Sequence, residues 1–533
     1  MREITFNDIF KVGEDFKNDK DYSRVSKYNK YKEFRENHVG RFFKTRLIKN
    51  LRLQDEVAAW LNEDGCIGYH LDNRFIPYTV NNQKLTIEDL IVECTLPKSA
   101  ITVLKNFSVG EKPIVVTGAE EEDKWVKEFE KRETIHSKLK EIVTEQLTLG
   151  NCYTKIERID KKAELTPLPA ENILLIPSLH NARRLGAYLY YEERLKINGK
   201  EEDGLYVELH LKGKNIVRAY RYAGNKIGAQ IPLSAIDRAF ATGKNIKDTS
   251  KKGQRGFEYT INTELEDYDI QNFMGLDKDI GELYAESIYN GLSSTFLEMT
   301  IRMTSNSYLF NKVNNPNMIG PDVSETQVSI VPTWKENVLG TDYQEQKVVK
   351  QGRYHIINDP SWIGGMKYVE PPTSHVDTIY KHLELNYSNA YSQLGVNAVA
   401  LGLITTGGSI SSGEAFKKAI TPTLNKARDI VNNIYTPLLI LYKQAYKLET
   451  GKEFSKLDIE FSDGIYLSEK EEIENAAMEI NSKLKSRKTY LISKGYTEVA
   501  ADEELERIAE EQNKLSGIVL ETIEDEDIGG NDE

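Results

Sequence analysis

At 533 residues the chain is longer than one ordinary hydrophobic core supports, so three or four subdomains are expected. A formal net charge of -13 argues against a tight electrostatic nucleic-acid binder, whose affinity comes from Lys and Arg displacing counterions from phosphates. It leaves open a surface that nucleic acid must pass without sticking. Only Cys66, Cys94 and Cys152 occur, with no Cys-x-x-Cys pair, so free thiols in a reducing compartment are expected. Cys66 and His70 stand close enough to share a metal, but no second ligand pair follows at zinc-site spacing.

The start Met1-Arg2-Glu3-Ile4 lacks the apolar core of a signal peptide, and no uncharged apolar run approaches the ~20 residues of a membrane span. Synthesis in a cytoplasm is therefore expected. Residues 1–52 mix Lys27, Lys30, Lys32, Arg35, Arg41, Lys44, Arg46, Lys49 and Arg52 with Tyr28, Tyr31, Phe34, Phe42 and Phe43. Such a mix suits nucleic acid, but amphipathic helices docked on a neighbouring subunit have the same pattern, and the docking arm is the preferred reading.

From Leu53 to Gln271 helix and sheet patterns alternate. The span Glu121 to Thr148 reads as one amphipathic helix ended by Gly150-Asn151. Strands are predicted at Cys152 to Ile159, Asn172 to Ile176, Gly186 to Ile197, Leu205 to Leu211 and Ile216 to Tyr222. Their turn signals are Asn198-Gly199, Asp203-Gly204 and Gly224-Asn225. Thr242 to Arg255, with five cations among Gly and Ser, reads as an exposed loop. Leu276 to Thr304 carries apolar residues at helical spacing, and Ser305 to Glu370 reads as a small β-containing insert. A second helix, Ser374 to Leu394, follows the insert, which is thus expected on a stalk of two antiparallel helices.

Val396 to Ser409 contains no charged side chain in a chain that is 29% charged. Ser411 with Glu414 then resembles a capping box, and Phe416, Ile420, Leu424, Ala427, Val431, Ile434, Leu438 and Leu441 continue one apolar stripe over about seven turns. Pro422 and Pro437 are expected to bend that helix without ending it. Leu457 to Phe461 suggests a strand, Ser468 with Glu471 caps a further helix, Ala500 to Gln512 gives a last one, and Glu521 to Glu533 is an acidic tail expected to be disordered.

No motif points to catalysis. Gly408 to Gly413 has the spacing of a phosphate loop, but Glu414 and Ala415 occupy the places where such a loop needs Lys and Ser or Thr. A carboxylate aimed at a γ-phosphate repels it. His375 and His382 lie two turns apart on one helix with no third ligand, so no metal and no cofactor is expected. Tyr380, Tyr387 and Tyr391 form a stripe that reads as packing before base stacking.

The order of these parts resembles the portal proteins of tailed bacteriophages, from about Val57 to Gln512. Four stretches carry the resemblance. Leu149 to Tyr153 with Leu165-Thr166-Pro167-Leu168-Pro169 and Asn172-Ile173 is similar to the wing strands, and Phe273 to Ile280 to the start of the first stem helix. Ser409 to Phe416 is similar to the close of the tunnel loop, and Ser486 to Ile492 followed by Asp502 to Glu511 to the end of the crown. The acidic ending and Thr242 to Arg255 depart from the pattern.

The resemblance implies an α+β portal fold: 1–52 arm, 53–271 wing, 272–304 first stem helix, 305–370 clip, 371–395 second stem helix, 396–410 tunnel loop, 411–450 long kinked helix, 451–515 crown and 516–533 tail. It further implies a ring, a dodecamer, at one capsid vertex of the virion, a conduit for double-stranded DNA during packaging and ejection. The implied partners are the terminase large subunit, head-completion or tail adaptor proteins, and the major capsid and scaffolding proteins, with no membrane. The tunnel loop would present Val396, Asn397, Leu401, Leu403, Thr405, Thr406, Gly407, Gly408 and Ser409 to the duplex, and Lys417 and Lys418 are candidates for passing phosphate contacts. An uncharged lining suits sliding, because each firm phosphate contact adds a barrier. A ring-forming head-completion or tail adaptor without DNA translocation is the alternative reading, and a nucleotide-acting enzyme the third.

Overall fold

The computed structural model describes residues 10–46, 66, 68–71, 74–77, 79–80, 83–84, 86–177, 184–236, 256–279, 281–314, 317–320, 328–337, 340–349, 355–358, 367–369, 374–402, 413–462, 476–493 and 501–512. The chain divides into two compact units, Met1–Gly464 and Ile465–Glu533. Both helices and strands build the first, which makes the class α+β.

An antiparallel sheet dominates the middle of the first unit. Strands β8 (Ile173–Pro177), β9 (Arg184–Ile197), β10 (Lys200–Leu211), β11 (Lys214–Ala223) and β12 (Lys226–Gln230) follow one another as a meander, and β13 (Tyr259–Asn262) shares the outer edge of β11 with β12. The tight turns fall where backbone with positive φ is tolerated: Asn198-Gly199 at +49° and +85°, Gly224-Asn225 at +58° and +65°. Asp203-Gly204, expected as a turn, lies inside β10 instead, paired with Arg194 and Glu193. Its glycine is a packing requirement, since a Cβ there would stand 2.3 Å from the Leu195 side chain.

Beside it lies a three-stranded sheet of β6 (Asn151–Ile159), β7 (Lys162–Leu168) and β14 (Ile270–Met274), in the order β14-β6-β7. The span expected as one helix over 121–148 is two, α4 (Glu120–Glu133) and α5 (Ile135–Leu149), separated by Thr134 in the left-handed region at φ 49° and ψ 45°. For a β-branched residue that conformation costs ~1–3 kcal/mol. What offsets it is visible at the outer edge of β7. Glu133 accepts from the Leu165 N–H at 3.0 Å and from Lys138 at 2.8 Å, while Lys138 donates to the Leu165 carbonyl at 2.7 Å. Arg132 donates to the Ala163 carbonyl at 3.0 Å and pairs with Glu449, which accepts the Ala163 N–H at 2.7 Å. Side chains thus occupy edge groups that another strand would otherwise seek. Burial pushes the Glu133 carboxyl up, yet Lys138 and the Leu165 amide hold it below the usual carboxylate range.

The helix expected from Leu276 begins only at Ser293, as α6 (Ser293–Asn314). Residues 281–292 form bends and turns because the chain is held elsewhere: Asn151 donates to the Ala285 carbonyl at 2.9 Å and accepts its N–H at 3.3 Å, and the Tyr284 hydroxyl accepts the Leu175 N–H at 2.8 Å. Gly281 and Gly291 take φ values of +93° and +80°, which a helix does not admit. The insert that follows contains a sheet of β15 (Asn317–Gly320), β18 (His355–Asn358) and β19 (Lys367–Val369) and a hairpin of β16 (Val328–Asn337) with β17 (Gly340–Val349). It returns through α7 (Ser374–Leu394), which touches α6 where His382 meets Glu298 at 3.5 Å and Tyr387 meets Met303 at 3.6 Å.

The long helix α8 (Gly413–Thr450) runs unbroken through Pro422 and Pro437, as its stripe predicts. Of the stripe residues, Ile420, Leu424, Ala427, Ile434, Leu438 and Leu441 are buried, Val431 is only half-buried with its neighbour Ile430 taking the core position, and the Phe416 side chain lies outside the described residues. The strand β20 (Leu457–Glu460), placed with the crown on sequence, pairs with β5 (Ile114–Thr117) inside the first unit. The second unit shows short helices at 476–481, Arg487–Ser493 and 501–512, with Lys488 paired to Asp502 at 2.9 Å. The cap at Ser468, the loop 242–255 and the acidic tail lie outside the described residues.

Replacing Glu133 with Ala is expected to lower stability by ~1–3 kcal/mol, because it leaves a buried Leu165 N–H unsatisfied and Lys138 without its carboxylate. The check is the denaturation midpoint together with hydrogen exchange at Leu165. Equal midpoints and unchanged Leu165 protection would remove the edge-capping role.

Candidate functional site

The uncharged segment leaves α7 through a tight stop. Gly395 takes φ +67°, and the Val396 N–H returns to the Tyr391 carbonyl at 3.0 Å, the bond that closes a helix end with a left-handed residue. Val396 is 3% exposed and belongs to the main core. Asn397 then fixes the chain to α8: its N–H donates to the Thr423 hydroxyl at 2.9 Å and its side-chain amide to the Ala419 carbonyl at 2.8 Å. Its side-chain oxygen accepts the Val399 N–H at 2.9 Å, folding the next residues into a turn. The Leu401 N–H reaches the Ala398 carbonyl at 3.2 Å and the Gly402 N–H the Val399 carbonyl at 3.0 Å. Leu401 is half-buried against the main core.

The contact lies beside Pro422. A proline offers no N–H to the carbonyl four residues earlier, and its ring crowds that carbonyl. The next carbonyl along, that of Ala419, receives Asn397. Thr423, fully buried, presents its hydroxyl on the same turn. Thr423 was not singled out from sequence; the signal was Thr421-Pro422-Thr423, two hydroxyls flanking a proline inside an apolar stripe. Lys426 packs its stem near Gly395, where an added Cβ would meet it at 3.1 Å.

Of the residues read as channel-lining, the structure therefore brings Val396, Asn397 and Leu401 together at the base of the segment, with Val396 in the core and not on a surface. Leu403, Thr405, Thr406, Gly407, Gly408 and Ser409 lie outside the described residues, as do Ser411 and the Lys417 side chain. Lys418 is exposed near the start of α8.

The N-terminal arm docks on its own chain. In α1 (Asp19–Arg35), Tyr28, Tyr31 and Phe34 enter the main core. Arg24 lies 4.4 Å from the Tyr284 ring and donates to the Ala170 and Ile173 carbonyls, both at 3.1 Å, while Lys32 pairs with Glu171 at 2.7 Å. Arg35 pairs with Glu145. Arg24, Lys32 and Arg35 thus have partners within this chain, and Tyr28, Tyr31 and Phe34 pack into its own core. Cys66, Cys94 and Cys152 are buried, and burial pushes the Cys94 thiol up to about 12. Among the described residues no group of His, Cys, Asp and Glu has the geometry to hold a metal, and no helix is long and apolar enough to cross a membrane.

Asn397→Ala and Thr423→Val are each expected to cost ~1 kcal/mol, since each removes a hydrogen-bonding partner at the anchor. Hydrogen exchange should quicken at Val399 and Gly402 while amides beyond Ile430 keep their protection. Unchanged exchange at Val399 and Gly402 in both variants would show that the anchor is dispensable.

No family model matches this chain, and no curated protein matches it. Among solved structures, one described as the neck of a native GTA particle computed with C12 symmetry is similar with a TM-score of 0.38 and 9% identity, over 75% of this chain and 89% of that one. A second, the neck of an empty GTA particle computed with C6 symmetry, has a TM-score of 0.37 and 9% identity over 69% and 81%.

Proposed function

We propose that this chain is a subunit of a portal ring of the tailed-phage type: a structural conduit for double-stranded DNA and a platform for the proteins that fill and close the particle. The observation that carries this reading is a sequence of mechanical parts. Helices α6 and α7 touch and bracket a strand-built insert; α7 stops at Gly395; and the uncharged segment starts from a point fixed by Asn397 on a 38-residue helix. A segment without charge, held at its base on a rigid rod, suits a surface that a polyanion must pass.

In this reading the ring is a homo-oligomer, a dodecamer, in which each subunit offers two different faces to its neighbours, as closure by rotation requires. The insert meets the terminase large subunit and later the head-completion or tail adaptor proteins, and the outer surface meets the major capsid and scaffolding proteins. Asn397, Leu401, Leu403, Thr405, Thr406, Gly407, Gly408 and Ser409 form the weakly interacting lining, and Lys417 and Lys418 touch phosphates in passing. The chain performs no chemistry of its own and takes no cofactor. Its site of action is the virion vertex, after synthesis in the host cytoplasm.

Native mass spectrometry with negative-stain imaging tests the assembly. A closed ring of about twelve copies with a hole wide enough for a duplex is expected. A much smaller closed oligomer or an open filament would favour the adaptor reading. Lys417→Ala with Lys418→Ala is expected to leave the ring intact and reduce the length of nuclease-protected DNA in filled particles; normal protected length in that double variant would remove the phosphate-contact role.

A further inference from the structure

The most deeply buried charges in the described chain lie at the joint between the six-stranded sheet of β8–β13 and the three-stranded sheet of β6, β7 and β14. His210, on β10, is fully buried. Its Nδ1 stands 2.9 and 3.0 Å from the two carboxylate oxygens of Asp269, just before β14, and its Nε2 stands 3.1 Å from Glu208. Asp269 is 1% exposed, and its carbonyl accepts the Ile156 N–H of β6 at 2.8 Å. The neighbours complete the set. From β6, Lys155 reaches Glu157 at 3.2 Å and Glu208 at 3.4 Å; from β10, the Tyr206 hydroxyl donates to Glu208 at 2.8 Å; from β11, Asn215 donates to Asp269 at 2.5 Å. Further out, Lys212 pairs with Asp267 at 3.1 Å.

A neutral imidazole has one donor and one acceptor nitrogen. Here both nitrogens face carboxylates, so a neutral ring would set a lone pair against a buried anion. The charge balance points the same way: three carboxylates, Glu157, Glu208 and Asp269, face one lysine, and only an imidazolium brings the excess to a single negative charge.

We propose that His210 is a proton-dependent latch joining the two sheets, closed by an imidazolium that donates to Asp269 and Glu208 at once and opened when that proton is lost. The latch is a property of one subunit and does not depend on ring assembly. Burial pulls the His210 ring toward the neutral form, but Asp269 and Glu208 outweigh it and hold its proton above the ordinary histidine range. Burial likewise pushes Glu208 and Asp269 up, and Lys155 with His210 brings both below the usual carboxylate range. A raised histidine contributes stability that is complete below its unfolded value, about 6.5, and that is lost as pH rises from there through the folded value. The depressed carboxylates contribute stability above about 4 that is lost as pH falls through their folded values. The joint is therefore tightest in mildly acidic solution and loosens on the alkaline side.

The test uses the full-length protein. Thermal unfolding and hydrogen exchange at Ile270–Met274, corrected for intrinsic rate, are followed between pH 6 and 9 for the native chain and for His210→Gln. The native chain should lose melting temperature and joint protection as pH rises, and its advantage over His210→Gln should shrink over the same range. A constant advantage, or native protection at the joint that does not change with pH, would overturn the latch. If His210→Gln does not fold, Glu208→Gln decides: an opening midpoint about one pH unit lower supports the latch, and an unmoved midpoint overturns it.

Discussion

A helix of 38 residues with two internal prolines is the constraint from which much of this fold follows. Each proline in a helix interior costs ~3 kcal/mol through a lost hydrogen bond and a crowded carbonyl. The helix persists because its apolar stripe is buried almost throughout its described length, and burying a Leu or Ile side chain is worth ~1.5–3 kcal/mol. Near each proline, where the helix lacks one hydrogen bond, neighbouring hydrogen-bonding groups are also put to use. Asn397 bonds Ala419 and Thr423 around Pro422, and Asn433, whose carbonyl Pro437 cannot engage, sends its side-chain amide to the Gly275 carbonyl at 2.9 Å. The same rod carries Glu449, which reaches the Ala163 amide and the Trp125 indole, and Tyr442, which donates to Glu130 at 2.9 Å. Strand edge, helix pair and uncharged segment are thus all registered against one element.

Much of this was legible because it rests on local rules. The meander follows from alternating residues and from Asn-Gly and Gly-Asn turns, whose positive φ values few other residues accept. The stripe on α8 is a periodicity that two prolines interrupt without erasing. The Gly150 stop is likewise local in origin, though its φ of +81° coincides with a tertiary need: an added Cβ would sit 2.4 Å from the Ala285 carbonyl.

What sequence did not show has a common cause, namely side chains that override local preference from a distance. Thr134 breaks a helix so that Glu133 and Lys138 can reach β7. The apolar residues at Leu283, Ile288 and Leu292 have helical spacing, but Asn151 and Tyr284 hold that stretch in turns, and only Gly281 and Gly291 hinted at it. The basic and aromatic character of α1 was equally ambiguous, because partners such as Glu145 and Glu171 are more than a hundred residues away. His210, Asp269 and Lys155 are scattered in sequence and meet only because two sheets meet. Of the candidate site, its position before the long helix was readable; the anchor at Thr423 was not.

The anchor also limits what the uncharged segment can do. Residues 403–412 connect Gly402, held by the turn after Asn397, to the start of α8 at Gly413, and Asn397 is itself bonded to that helix at Ala419 and Thr423. Ten residues that leave and return to one rod can extend at most about half their contour, roughly 17 Å from its base. Asn397 and Thr423 thus tie the exit of α7 to α8 across Pro422, and the proline and the hydrogen bonds beside it are better regarded as one mechanical part.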